Sequence, residues 1–173
     1  SNVLDAAVKN KVKKIIFSSS SEVYGEQEKF PIIENASLKP KSNYGITKIA
    51  GEEYVKAYSE LYDLKFNICR FFNLYGLGQK NDFVIPKFID MAIDNKPLTI
   101  YGKGEQGTDF LYVSDMVECL LKIAKTKNIN GEAFNIGSGN FITIAELAHL
   151  INDLSGSTGG VKFLEQEKVH VET

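Results

Sequence analysis

Lys13-Lys14-Ile15-Ile16-Phe17-Ser18-Ser19-Ser20-Ser21 is a short apolar run that stops in four serines. The apolar part, Lys13 to Phe17, reads as a strand buried in a parallel sheet, where both faces are covered and alternation is lost. Upstream, Val3, Leu4, Ala7 and Val8 recur at helical spacing with no capping residue before them, which predicts the last turns of a helix that starts upstream of Ser1. Downstream, residues 25–41 are polar and hold Pro31 and Pro40, so a loop is expected. From about Ser42 the spacing turns helical: Thr47, Ala50, Gly51, Tyr54, Val55 and Tyr58 make one stripe, with Lys48, Glu52, Lys56 and Glu60 elsewhere. Phe66-Asn67-Ile68-Cys69-Arg70-Phe71 is the next strand. Helix, strand, helix, strand is the alternation of an α/β doubly wound parallel sheet.

Beyond residue 75, Gly76 and Gly78 mark a loop, and Ile85, Phe88, Ile89, Ala92 and Ile93 a helix that holds Pro86 in its first turn. Leu98–Tyr101 and Asp109–Tyr112 read as strands, Val113 to Ala124 as a helix, and Ala133–Ile136 as a further strand. Thr143 with Glu146 forms a capping box that opens a helix closed by Gly156 to Gly160. Val161 to Thr173 is strand-like and then polar, with no closing element, so the chain is expected to continue.

Composition narrows the class. With 43% hydrophobic and 24% charged residues the 173-residue chain is that of a globular domain. Its net charge of −2 comes without a basic run, which argues against nucleic acid. Cys69 and Cys119 lie in apolar stretches, so free thiols and a reducing, cytoplasmic compartment are expected. His149 and His170 have no partner at metal-ligand spacing, so no metal is expected. No apolar run approaches the ~18 residues of a membrane span, and no signal peptide is read.

Gly102-Lys103-Gly104-Glu105-Gln106-Gly107 matches the dinucleotide fingerprint letter for letter. That motif works by opening a helix whose N–H groups hold a pyrophosphate. Here Thr108-Asp109-Phe110-Leu111-Tyr112 follows and alternates like a strand, so the segment is read as a turn.

Tyr44 and Lys48 are four residues apart on a predicted helix and share a face. A free tyrosine, with a pKa of about 10, is a poor base at neutral pH. A nearby ammonium favours the phenolate, which can then exchange a proton with a substrate hydroxyl. Ser20, at the end of its strand, can hydrogen-bond the same hydroxyl. Strand ends are where open α/β sheets build their sites. Such a pair alone recurs by chance; its neighbours give it weight.

Those neighbours are Ser18-Ser19-Ser20-Ser21-Glu22-Val23-Tyr24-Gly25, Pro40-Lys41-Ser42-Asn43-Tyr44-Gly45-Ile46-Thr47-Lys48 and Arg70-Phe71-Phe72-Asn73-Leu74-Tyr75-Gly76, in that order. Together they closely resemble the extended short-chain dehydrogenase/reductase family, the NAD-dependent sugar-nucleotide epimerases and dehydratases, over residues 2–160. The resemblance implies catalytic Ser20, Tyr44 and Lys48, and cofactor contacts from Ser18, Tyr44, Lys48 and Phe71, with NAD as the cofactor and NADP left open. It implies substrate contacts from Ser20, Ser21, Glu22, Asn73, Val84 and Tyr101. Judged singly, Phe71 and Tyr101 also read as core aromatics, Asn73 as a turn residue and Glu22 as a solvated acid. By the same resemblance, residues 1–75 are the C-terminal part of a Rossmann domain. Residues 76–173 are mainly a substrate-binding region interleaved with that sheet, and the glycine loop of the cofactor site lies upstream. Homodimers built on the helix before the serine-rich strand and on the Tyr44 helix are implied as well.

Two departures bear on the reaction. Where similar enzymes carry Arg-Asp-Phe, this chain has Thr108-Asp109-Phe110 and loses a bidentate phosphate contact. Where sugar dehydratases have an Asp-Glu pair, it has Ser21-Glu22, so a general acid for water elimination is missing. The expectation is 4-epimerisation of a UDP-hexose through a transient 4-keto sugar, ahead of decarboxylation or dehydration. Without the upstream glycine loop, this chain alone is expected to be inactive, and a non-catalytic sugar-nucleotide-binding piece is the reading from a different class.

Overall fold

The computed structural model describes residues 2–165. The chain folds into two compact units, one formed by residues up to Leu74 with Leu111–Gly137, the other by Tyr75–Phe110 with the segment from Ser138 onward. The order of elements is α1 (Asn2–Lys9), β1 (Lys14–Ser20), a 3-10 turn (Ser21–Tyr24), α2 (Asn43–Tyr62), β2 (Lys65–Phe71), β3 (Asn73–Tyr75), α3 (Val84–Ile93), β4 (Leu98–Tyr101), β5 (Gly107–Tyr112), α4 (Val113–Lys125), β6 (Ala133–Ile136), β7 (Phe141–Thr143), α5 (Ile144–Ser155) and β8 (Val161–Leu164). The α/β alternation expected from sequence is present. The 3-10 turn and the short strands β3 and β7 were not anticipated, and β1 runs three residues further, to Ser20, because paired serines continue the ladder.

In the first unit β1, β2 and β6 form a parallel sheet in the order β1-β2-β6. Successive side chains of a strand point to opposite faces. Accordingly Phe66 and Ile68 of β2 pack with Leu4, Ala7 and Val55 of the helices α1 and α2, while Cys69 and Phe71 join Leu111, Ile136 and the flanking Met116, Leu120 and Ile123 of α4. Burial pushes the Cys69 thiol up to about 11. Asp5 of α1 accepts a 2.5 Å hydrogen bond from the Tyr58 hydroxyl of α2, which holds that phenol at about 12.

The stripe expected on α2 holds at Gly51, Val55 and Tyr58 and is corrected at its other positions. Thr47, Ala50 and Tyr54 are exposed, and the buried residues of this helix are Gly45, Glu52 and Val55. The helix lies so close to β1 that a Cβ on Gly51 would fall 2.2 Å from the Phe17 ring. Gly51→Ala is therefore expected to destabilise the chain by about 1–3 kcal/mol, typical of overpacking, as read from urea denaturation midpoints. An unchanged midpoint would show that the ring moves aside freely.

The second unit is built on α3 and α5, whose Ile85, Phe88, Ala92, Leu147 and Ala148 enclose Leu98 and Ile100 of β4. β4 pairs in parallel with β8, and β5 pairs antiparallel with β7. The capping box of Thr143 and Glu146 is formed. The Gly102–Gly107 segment is a turn, and its carbonyls settle the question of the fingerprint. Gln106 O accepts from Ile144 N at 2.9 Å and Gly104 O from Ala145 N at 3.1 Å. The first donors of α5 are thus occupied by this loop and by the cap, and none of these bonds would hold a pyrophosphate.

Candidate active site

The C-terminal ends of the parallel strands define the site. Register places Ser20 beside Phe71, and Phe71 beside Ile136, in one row along the sheet edge. One residue deeper, Ser19, Arg70 and Asn135 form a second row. Beyond β1 the Ser20 hydroxyl accepts a 3.2 Å hydrogen bond from Glu22 N and caps the 3-10 turn. Ser42 caps α2, accepting from Gly45 N at 3.0 Å, and its hydroxyl donates to the Glu22 carboxylate. Gly45 sits against the Glu22 carbonyl, which would lie 2.8 Å from an added Cβ. The start of α2 is thereby fixed to the segment that follows Ser20.

That placement decides where Tyr44 and Lys48 go. Tyr44, the second residue of α2, is 50% exposed. Lys48 follows one turn later, half-buried, with Nζ 5.3 Å from the Tyr44 ring centre and 5.7 Å from that of Phe17. Its ammonium donates a 2.8 Å hydrogen bond to the Ser18 carbonyl oxygen at the end of β1. The structure therefore brings Ser18, Tyr44 and Lys48 together, with Ser20, Ser21 and Glu22 adjoining through the caps.

The remaining candidates are placed as follows. Phe71, 7% exposed, packs with Cys69, Leu111 and Ile136, which agrees with its reading as a core aromatic. Asn73 is an exposed residue of β3. Glu22 is exposed as well, yet it carries the Ser42 bond. Val84 and Tyr101 belong to the second unit. Val84 is the first residue of α3 and packs on that unit's core, while Tyr101, 58% exposed at the end of β4, is not a core aromatic. Asp109, next to Thr108, has its carboxylate filled by Ser138 N, Ser138 Oγ and Gly139 N at 2.7–2.8 Å. His170 lies outside the described residues.

Sequence reasoning missed a buried polar network behind the site. Glu52, 0% exposed, accepts from Arg70 Nε at 3.0 Å, Arg70 Nη2 at 2.7 Å and Ser19 Oγ at 2.5 Å. Arg70, 4% exposed, also donates to the Tyr24 hydroxyl at 2.8 Å and the Glu34 carbonyl at 2.9 Å. The Tyr24 hydroxyl in turn donates to Asn135 Oδ1 at 2.6 Å. Burial raises the Glu52 carboxyl, but hydrogen bonds from Arg70 and Ser19 and the guanidinium charge outweigh it, and the net shift is downward. The signal was available: a lone arginine in an apolar strand must find a buried acid.

The NAD dependent epimerase/dehydratase family matches residues 1–137. The chain is 34% identical over 164 residues to an uncharacterized UDP-glucose epimerase of Bacillus subtilis, covering 95% of this chain and 52% of that one. It is 38% identical over 177 residues to a UDP-N-acetyl-alpha-D-glucosaminuronate decarboxylase of Bacillus cytotoxicus, covering 98% and 54%. The UDP-glucuronic acid 4-epimerase of Bacillus cereus, solved with UDP-glucuronic acid and NAD, superposes with a TM-score of 0.86 at 33% identity, over 95% of this chain and 52% of that one. The chain thus spans about half the length of the curated relatives it matches.

Proposed function

The chain belongs to the NAD dependent epimerase/dehydratase family, and we propose that it carries the proton-transfer half of a sugar-nucleotide 4-epimerase. The observation behind this is the joint placement of Tyr44, Lys48 and the Ser18–Ser20 strand end, with Lys48 Nζ 2.8 Å from Ser18 O. Tyr44 takes the proton of the sugar 4-hydroxyl and returns it after the 4-keto sugar has turned over. Lys48, its Nζ 5.3 Å from the Tyr44 ring centre, sets a positive charge beside the phenol as the proton moves. Ser20 steadies the hydroxyl by a hydrogen bond.

The residues present fit a nicotinamide cofactor on one side. An ammonium has three N–H donors, and Lys48 gives one to Ser18 O, so the others suit the hydroxyls of a ribose. Ser18 and Phe71 line the same strand ends. NAD, bound there, supplies the acceptor and donor of hydride; NADP is equally compatible with these residues. Residues 1–75 then supply part of the cofactor domain, with Ser21, Glu22 and Asn73 its candidate substrate contacts; residues 76–173 are mainly the substrate-binding region, with Val84 and Tyr101 its own candidates. Exposed Ile46, Tyr54, Leu61 and Tyr62 on α2 and Val3 on α1 support a homodimer. The free thiols of Cys69 and Cys119 suit a reducing, cytoplasmic setting.

Product analysis separates the readings. Incubated with UDP-glucose and NAD⁺, a protein that joins this segment to the glycine-loop segment expected upstream should give the 4-epimer, whereas this segment alone should not turn over. Carbon dioxide from a UDP-uronate would favour decarboxylation, and a 4-keto-6-deoxy sugar dehydration. No product, together with calorimetric heat from the UDP-sugar alone, would mark a non-catalytic binding piece.

A further inference from the structure

We propose that Glu52, with Arg70 and Ser19, is a positioning device that sets where the Tyr44–Lys48 face of α2 sits over the end of β1. The proposal rests on Tyr44 and Lys48 being the proton-transfer pair. Glu52 and Arg70 are 0% and 4% exposed, so neither touches substrate, and any influence on the reaction passes through other residues.

Stability alone does not account for the arrangement. A buried ion pair is often no more stabilising than apolar residues of the same volume. What it adds is direction. The Glu52 carboxylate is held by three hydrogen bonds, two from Arg70 and one from Ser19. Arg70 is fixed in turn by the Tyr24 hydroxyl and the Glu34 carbonyl, with the Tyr24 ring 5.0 Å from the guanidinium carbon. Tyr24 closes the chain on Asn135. Ser19, Arg70 and Asn135 lie in register on β1, β2 and β6, so the anchor spans all three strands of the sheet.

The anchor is placed where it governs the site. Glu52 lies one turn beyond Lys48 and two beyond Tyr44 on one helix. At 1.5 Å per residue these offsets are roughly 6 and 12 Å along the axis. A slide or rotation of α2 about Glu52 would carry Lys48 Nζ away from Ser18 O, whose neighbour Ser19 is itself bonded to Glu52. One carboxylate therefore ties the helix that bears the pair to the strand end that bears Ser18 and Ser20.

The test separates placement from stability. 3-Fluorotyrosine is inserted at position 44, and fluorine NMR and amide exchange over residues 45–48 are compared in the parent chain, in Glu52→Leu/Arg70→Met and in Ser19→Ala. The double variant removes both charges together and is expected to keep its thermal midpoint within about 5 °C. Its fluorine signal is expected to shift or split, and exchange over 45–48 to quicken by at least about tenfold. Ser19→Ala keeps the ion pair but releases it from β1, and exchange in the same segment is expected to rise by about three- to tenfold, the loss of one hydrogen bond. A double variant that regains midpoint, fluorine signal and exchange together overturns the proposal and leaves the pair a stabiliser only. Should the double variant not fold, parent-like exchange and signal in Ser19→Ala overturn it equally. Absent sugar turnover in a protein that joins this segment to the glycine-loop segment would sink the functional reading, whereas the fluorine result decides the placement of Tyr44 independently of turnover.

Discussion

In a protein that joins this segment to the glycine-loop segment expected upstream, Tyr44→Phe is expected to slow sugar interconversion by about 10²–10⁴-fold, the usual worth of a positioned acid–base group, with sugar-nucleotide affinity unchanged. The substitution deletes one oxygen and keeps the ring. Tyr44 is half exposed on the first turn of α2 and its fold contacts run through the backbone and Lys48, so stability should move by no more than about 0.5 kcal/mol. Turnover number and calorimetric affinity are measured side by side. A fall in turnover with intact affinity is the signature of an interaction made in the transition state. A variant that interconverts sugars at the parent rate would remove Tyr44 from the mechanism.

Arg70→Met is expected to cost about 3–5 kcal/mol of folding stability, because it leaves the Glu52 carboxylate buried without its cation. The pH dependence gives a sharper mark. In the parent chain the Glu52 carboxyl is held below its unfolded value. Its contribution is therefore present above the ordinary carboxylate range and is lost as pH falls through the depressed folded value. In the variant, desolvation prevails and the folded value rises above the unfolded one. Stability is then greatest where the carboxyl is neutral and declines as pH rises beyond about 4.3, the ordinary glutamate value. Urea midpoints measured between about pH 4 and pH 7 should thus slope in opposite senses for the Glu52 contribution in the two chains. Parallel slopes would mean that Arg70 does not set the ionisation of Glu52.

Much of the fold was legible because local chemistry and tertiary packing agree. The apolar runs ending at Phe17 and Phe71 are strands of a parallel sheet, and the Thr143–Glu146 box opens α5 where its residue types require. The Gly102–Gly107 segment could be rejected as a fingerprint because the alternation after it is that of a strand, and β5 begins at Gly107. The face of α2 was misread in part, for a physical reason. Gly51, Val55 and Tyr58 of the expected stripe do pack inward, but hydropathy also favours Tyr54 and Thr47, which are exposed, and passes over Gly45 and Glu52, a missing side chain and a charge. Phe17 fills the space above Gly51 from the opposite side, and no single segment of sequence reports that. The strands β3 and β7, three residues each, are too short for any periodicity to register. Of the site, Tyr44, Lys48 and Ser20 were visible as a set and Ser18 through the resemblance, but Ser19 and Asn135 act through sheet register and Tyr24 through long-range hydrogen bonds from the 3-10 turn, which the sequence leaves implicit.

The row of Ser19, Arg70 and Asn135 has a consequence for how this chain can change over generations. Arg70 and Glu52 are 18 positions apart, yet each is the other's only charged hydrogen-bond partner among the described residues. Losing either one removes about 3–5 kcal/mol from a domain whose whole margin is about 5–15 kcal/mol. Single-step drift at either position therefore passes through a poorly folded intermediate. Substitutions at 52 and 70 should be recovered as joint replacements in a randomised library selected for folding, so the two sites behave as one heritable unit.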